Sequence, residues 1–163
     1  MMDMAVESTQ TLVYPKATND EIRKLLLQYN NIIHKLRQYG IIKTSSVVAG
    51  YGEYIAAKRL NLTLNKNPSQ KGYDAVDKNN IKYQIKTRKA TSWNKPTIFP
   101  FDKTKIGYID FLVYVGFNDD WSVRDFLKIP KKYITPNKAN RIVLTKQLKK
   151  RFRVVSKNQQ RLV

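Results

Sequence analysis

The sequence predicts one α/β (α+β) domain, a central mixed sheet flanked by helices. Two helical patterns come first, then three or four strand patterns, then a strongly basic end. That order puts helices against a sheet rather than helix on helix. Of 163 residues, 42% are hydrophobic, which suits a folded domain with a real core. No internal repeat or linker marks a second domain, so residues 1–163 read as a single unit.

Residues 1–16 show no clear period and are expected to form an N-terminal arm. Thr18 followed by Glu21 is a capping-box pattern. Ile22, Leu25, Leu26, Tyr29, Ile32, Ile33 and Leu36 then recur at helical spacing, with Gly40 as terminator. Ser45 or Ser46 can cap a second helix that runs to about Leu60 and carries Val47, Val48, Tyr51, Ile55 and Glu53. Gly50 and Gly52 lower its propensity but permit close packing. Residues 61–71 are polar, contain Pro68 and read as a loop. Residues 73–77 read as a short strand, and Lys78, Asn79 and Asn80 as a turn. Residues 81–88 alternate. Ile81, Tyr83 and Ile85 face one way, and Lys82, Gln84, Lys86 and Arg88 the other. Residues 91–105 form a long polar and aromatic loop. DFLVYVGF, residues 110–117, suits a strand buried on both faces. Asn118, Asp119 and Asp120 turn the chain into a fourth strand, 121–129, which Pro130 ends. The remainder gives no definite element.

Lysine and arginine total 31 against 12 acids, a formal charge of +19. Solubility does not need that much, so a polyanionic partner is expected. The last acid is Asp125; residues 126–163 hold 12 lysines or arginines and none. That basic part is interleaved with apolar residues such as Leu144, Leu148, Phe152 and Val154, as a footprint on a phosphate backbone would be. Lys149, Lys150, Arg151 and Arg153 are its candidate DNA contacts. The absence of cysteine excludes disulfides and thiolate metal sites and fits a cytoplasmic, intracellular protein. Asp3 and Glu7 argue against a signal peptide. No stretch approaches the roughly 20 apolar residues of a membrane span.

The stretch GYDAVDKNNIKYQIKTRKA carries the chemistry. Gln84 and Lys86 share one face of a strand, and a hairpin can bring Asp74 beside them. Asp74 offers a carboxylate and Gln84 a neutral carbonyl; Glu53 on the preceding helix can add a second negative charge. Such an oxygen set suits Mg²⁺, with Mn²⁺ as substitute. Lys86 can stabilise charge developing on phosphate and orient or help deprotonate a water. Arg88 shares the Lys86 face and, with Lys89, is a candidate phosphate contact. Trp93 is a candidate for stacking on a base. Asp77 is one pleat out of phase and serves the turn. His34 beside Ile33 sits at a wet boundary. Solvated surface positions remain the alternative reading of each residue taken alone.

Taken together, Glu53 in GYGEYIAAKRL, Asp74 in GYDAVD, Gln84 and Lys86 in YQIKTR, and the apolar strand behind them resemble the PD-(D/E)XK nuclease superfamily. The likeness spans about residues 50–130. A glutamine stands where most members have an acid, similar to the QxK variant, and Tyr73 stands where a proline often precedes the aspartate. The resemblance implies a restriction-endonuclease-like fold and a Mg²⁺-dependent DNA endonuclease hydrolysing phosphodiester bonds. Asp74, Gln84, Glu53 and Lys86 would be its catalytic residues. The metal would be held by Asp74, Gln84, Glu53 and the Ile85 carbonyl, and the enzyme would act as a homodimer on duplex or branched DNA. Restriction, junction-resolving and mobile-element roles all remain open. So do two other classes: a catalytically weak or inactive DNA-binding protein with this fold, and an RNA-binding basic domain.

Overall fold

The computed structural model describes residues 17–66, 72–90 and 97–154; the expected arm at 1–16 and Trp93 lie outside them. In chain order the elements are α1 (Asn19–Gln38), α2 (Val47–Leu60), β1 (Thr63–Leu64), β2 (Ala75–Val76), β3 (Lys82–Lys89), β4 (Thr97–Pro100), β5 (Phe111–Phe117), β6 (Val123–Pro130), β7 (Arg141–Leu144) and α3 (Lys146–Phe152). Short 3₁₀ turns lie at Lys103–Tyr108 and Lys131–Tyr133. Five strands form a mixed sheet in the order β1-β2-β3-β5-β6, and β4 pairs with β7 in a separate ribbon. The mixed α/β class expected from the sequence is present, with helices on the sheet. Among the described residues no helix is long and apolar enough to cross a membrane.

β5 is the centre of the sheet. Six of its seven residues, Leu112 to Phe117, are buried, as its unbroken apolar run requires. It pairs parallel with β3 from Tyr83↔Phe111 to Lys89↔Phe117, and antiparallel with β6. Asp110 fastens the start of this trio. Its Oδ2 accepts from the Lys82 N–H at 3.0 Å, its own N–H donates to the Lys82 carbonyl at 2.9 Å, and its carbonyl accepts from the Lys131 N–H at 2.9 Å.

The two sheet faces carry two cores. On one, Ala56 of α2 packs with Tyr83, Ile85, Val113, Val115 and Phe117. On the other, Leu112, Tyr114, Leu127 and Ile129 meet the β4–β7 ribbon through Phe101, Ile142 and Leu144. α2 lies close on β3 because position 52 is glycine: a Cβ there would run into the Thr87 methyl. Ser46 is the N-cap of α2, but its side chain makes no capping bond.

α1 begins with the expected capping box, Glu21 N–H to Thr18 Oγ1 at 3.2 Å and Thr18 N–H to Glu21 Oε2 at 2.7 Å. It ends in a Schellman pair, Gly40 N–H to the Arg37 carbonyl and Ile41 N–H to the Leu36 carbonyl, both 2.9 Å, with Gly40 at φ +67. Of its apolar stripe only Ile33 is buried.

Three local expectations need correction. Residues 61–71 are not all loop, because Thr63–Leu64 pairs with β2; two residues are too few to show a period. The stretch 91–105 contains β4, whose partner β7 lies some forty residues on, beyond any local pattern. The fourth strand starts at Val123, since Trp121 sits in the preceding turn at φ +66, and it includes Pro130.

α3 is fixed by a buried acid. Asp125, 1% exposed, accepts from Lys149 Nζ at 3.0 Å and Arg153 Nη2 at 2.6 Å. Lys149 also donates to Thr97 Oγ1 at 3.0 Å. These two cations neutralise a carboxylate that would otherwise be costly to bury.

Because Gly52 sets the approach of α2, Gly52→Ala is expected to destabilise the protein by about 1–3 kcal/mol. Urea unfolding measures this; an unchanged midpoint and slope would mean the helix does not sit that close.

Candidate functional site at the edge of the sheet

β2 is only two residues long, so it leaves most of β3 without a strand partner on that side. Asp74 stands where β2 stops. Its backbone N–H still donates to the Tyr83 carbonyl at 2.8 Å, and its Oδ2 then accepts the Ile85 N–H at 2.6 Å. The carboxylate thus replaces the next rung of the ladder. The same oxygen accepts from Gln84 Nε2. In a strand the N–H and C=O of one residue point to the same side, so the Ile85 carbonyl faces this open edge too.

α2 and the loops before and after it complete the surround. Glu53, held by α2, lines a small pocket of about 60 Å³ together with Asp74, Lys43, Gly50, Asn65 and Tyr73. Lys43 Nζ donates to the Asn65 carbonyl, and Asn65 Nδ2 donates to the Tyr73 carbonyl at 2.6 Å, which fixes the chain on either side of the strand. On the opposite face Gln84 and Lys86 open into a larger cleft of about 500 Å³, whose far wall carries Asp102, Lys105, Asn140 and Arg141. Glu53, Asp74, Gln84 and Lys86 therefore meet around one edge, with Asp74 at their centre. Gln84 is 7% exposed, so it is not a wet surface position.

Burial governs the electrostatics of the site. Burial, and secondarily the charge of Asp74, pushes the Glu53 carboxyl up; Lys43 pulls the other way. Burial also pushes Asp74 up, against the Ile85 N–H, Lys86, Lys105 and Gln84. Burial pushes the Lys86 ammonium down, Lys105 adds to that, and Asp74 opposes it. Desolvation disfavours each charged form, and like charges reinforce it. Two half-buried carboxylates, a strand carbonyl and an amide oxygen are hard donors suited to a divalent cation. Among the described residues no group of three or more histidine, cysteine or acidic side chains gathers.

The other candidates are scattered. Lys89 lies on the opposite face of β3 from Lys86. It pairs with Asp119 and sits 5.1 Å from the Trp121 ring centroid. Arg88 is half-buried beside Lys86's face and has its own interactions. Lys149 and Arg153 serve Asp125, which gives them a structural task. Lys150 is exposed, and Arg151 is exposed over the Tyr133 ring at 4.5 Å. Asp77 serves the turn as expected: Oδ1 accepts from Asn79 and Ile81 N–H, and Oδ2 from the Tyr83 hydroxyl. His34 is exposed on α1. Lys43, Lys105 and Arg141 were not singled out from the sequence. Nothing local distinguishes them among 31 basic residues, since loops and the β4–β7 pairing bring them in.

No family model matches the chain, and no curated protein matches it.

The raised carboxylates give a signed prediction for the metal-free protein. A carboxyl raised on folding stabilises below its unfolded pKa, and that stability is lost as pH rises through the folded value. Glu53→Gln removes this penalty. The variant should unfold at a higher temperature than the parent at neutral pH, and the gap should close toward pH 4. Thermal unfolding in EDTA across that range measures it; a gap independent of pH would reject the assignment.

Proposed function

We propose that the chain is a Mg²⁺-dependent endonuclease that hydrolyses phosphodiester bonds in duplex or branched DNA. The observation that carries this reading is Asp74 at one strand edge, sharing a small pocket with Glu53 on one face and bonded to Gln84, which with Lys86 opens on a cationic cleft on the other. The element order and the mixed sheet also resemble the PD-(D/E)XK core, with the restriction-endonuclease-like fold as the finer form of the architecture.

In this reading Asp74, Glu53 and the Ile85 carbonyl hold the cation, and Gln84 orients Asp74 and offers its amide oxygen. Bound there, Mg²⁺ would supply neutralisation of phosphate charge and acidification of a water. Lys86, whose burial weakens its hold on a proton, orients the attacking water and stabilises the charge that develops on the phosphoryl oxygens. Lys105 and Arg141 face Lys86 across the cleft and bind the backbone phosphates. The excess of basic residues supplies non-specific attraction to DNA. One observation favours a second reading, a DNA-binding protein with weak or no activity. The Gln84 amide bonds Asp74 where a carboxylate would add a ligand charge.

Plasmid and branched-DNA cleavage with Mg²⁺ or Mn²⁺ tests the proposal. Lys86→Ala should lower the rate by about a hundredfold or more, while binding measured in Ca²⁺ changes little. A parent that never cuts, with Asp74→Ala and Lys86→Ala binding DNA as the parent does, would sink the enzyme reading. A strong preference for structured RNA in competition would sink the choice of DNA.

A separate measurement addresses the cleft wall. Arg141→Ala should reduce the slope of log K against log salt by about one. An unchanged slope would show that Arg141 does not touch phosphate.

A further inference from the structure

The cleft beside Gln84 is built mainly of cations, yet its far wall holds an acid. Lys86, Lys105 and Arg141 line it, and among the described residues that do so Asp102 alone is acidic. A surface made only to grip phosphate gains nothing from a carboxylate, since like charges repel. The local task of Asp102 does not need the charge either. It caps the 3₁₀ turn through one oxygen: Oδ1 accepts from the Thr104 hydroxyl at 2.8 Å and the Thr104 N–H at 2.9 Å. Serine, threonine or asparagine would cap as well. The same two bonds, the hydroxyl's first, hold the carboxyl below its usual range, so it is charged at neutral pH. Asp102 is exposed, and among the described residues nothing bonds its Oδ2.

Asn140 stands next to it. Its N–H donates to the Asn137 carbonyl at 3.0 Å, and its carbonyl accepts from the Phe101 N–H at 2.7 Å. That last bond extends the β4–β7 ribbon and brings residues 102 and 140 together at its end. Asn137 Oδ1 braces the turn by accepting from the Ala139 and Arg141 N–H groups at 3.0 and 3.1 Å. Position 140 has φ +54, which suits asparagine or glycine. Among the described residues no bond engages the Asn140 amide.

We propose that Asp102 and Asn140 read one base beside the scissile phosphate, and that this base is adenine. The inference rests on the phosphodiester reading of the same cleft, whose volume of about 500 Å³ admits a nucleotide-sized group. Lys105 and Arg141 adjoin the pair in sequence, so phosphates bound there set a base edge against it. In the major groove adenine shows an amino donor, N6, beside a ring acceptor, N7. The open Oδ2 of Asp102 accepts from N6, and the Asn140 amide donates to N7. Guanine and thymine set a carbonyl oxygen, O6 or O4, against the carboxylate and are repelled. Cytosine satisfies Asp102 through N4 but offers Asn140 no acceptor, so it ranks second. The acid works by exclusion as much as by attraction: it loosens the grip on every sequence and spares the edge that donates.

A pool of randomised duplex DNA tests this with the full chain, read by sequencing both the duplexes retained in Ca²⁺ and the ends cut in Mg²⁺. The parent should favour adenine over guanine or thymine at one fixed position by about tenfold, with cytosine between. Asp102→Asn keeps the cap on Thr104, so thermal unfolding should not change, but its amide donates to O6 and O4. The preference at that position should flatten, while total retention of the pool does not fall. Asn140→Gly keeps the left-handed turn and should bring cytosine level with adenine. A parent without base preference, one led by guanine or thymine, or a profile unchanged in Asp102→Asn overturns the proposal and leaves Asp102 a cap alone. Should Asp102→Asn fail to fold, Asn140→Gly decides, and cytosine still below adenine there overturns it. Retained duplexes with the adenine preference from a parent that never cuts would sink the endonuclease reading and uphold this one. Cutting with no preference at any position would do the reverse.

Discussion

The parallel ladder between β3 and β5 is the constraint on which the rest of the structure depends. Antiparallel strands can be joined by a two-residue turn; parallel ones need a crossover. Here the connection between Lys89 and Phe111 includes β4 and the 3₁₀ turn at Lys103–Tyr108. It returns over the face to which Gln84 and Lys86 point, and so delivers Asp102 and Lys105 to the cleft. β5, buried on both sides, needs a cover on each. α2 provides one and the β4–β7 ribbon the other, and these two covers are the two walls between which the candidate site opens.

Asp74 has two tasks that conflict. Its carboxylate satisfies the Ile85 N–H where β2 ends, protecting a strand edge that would otherwise be left unpaired. It also stands close enough to Glu53 for the two charges to oppose each other in a half-buried setting. A protein selected only for stability would replace one of them with an amide or an apolar residue. The pair of opposed carboxylates is the feature on which the proposed cation site rests.

Much of this was legible in the chain. The capping box at Thr18 and Glu21, the glycine at position 40, the alternation of 81–88 and the apolar run of 111–117 are all local signals, and each marks an element that forms. The grouping of Asp74, Gln84 and Lys86 followed from strand period and a hairpin; Glu53 joined it through the resemblance to a family that carries an acid on the preceding helix. What was not legible is non-local. β4 and β7 find each other across forty residues, so Arg141 could not be placed beside Lys86 from pattern alone. Charge counting also left out a pairing: Lys149 and Arg153 both bond the last acid of the chain, Asp125.

That trio alters how the basic end should be understood. A count of charges treats every lysine as part of an outward field. Lys149, partly buried, and Arg153, still exposed, are counter-ions to Asp125, whose charge offsets part of what they would project beyond a Debye length of about 8 Å. The electrostatic face that a passing polyanion meets on α3 is carried by the exposed Lys146, Lys150 and Arg151. Composition here measures how well the end is tied down as much as how strongly it attracts.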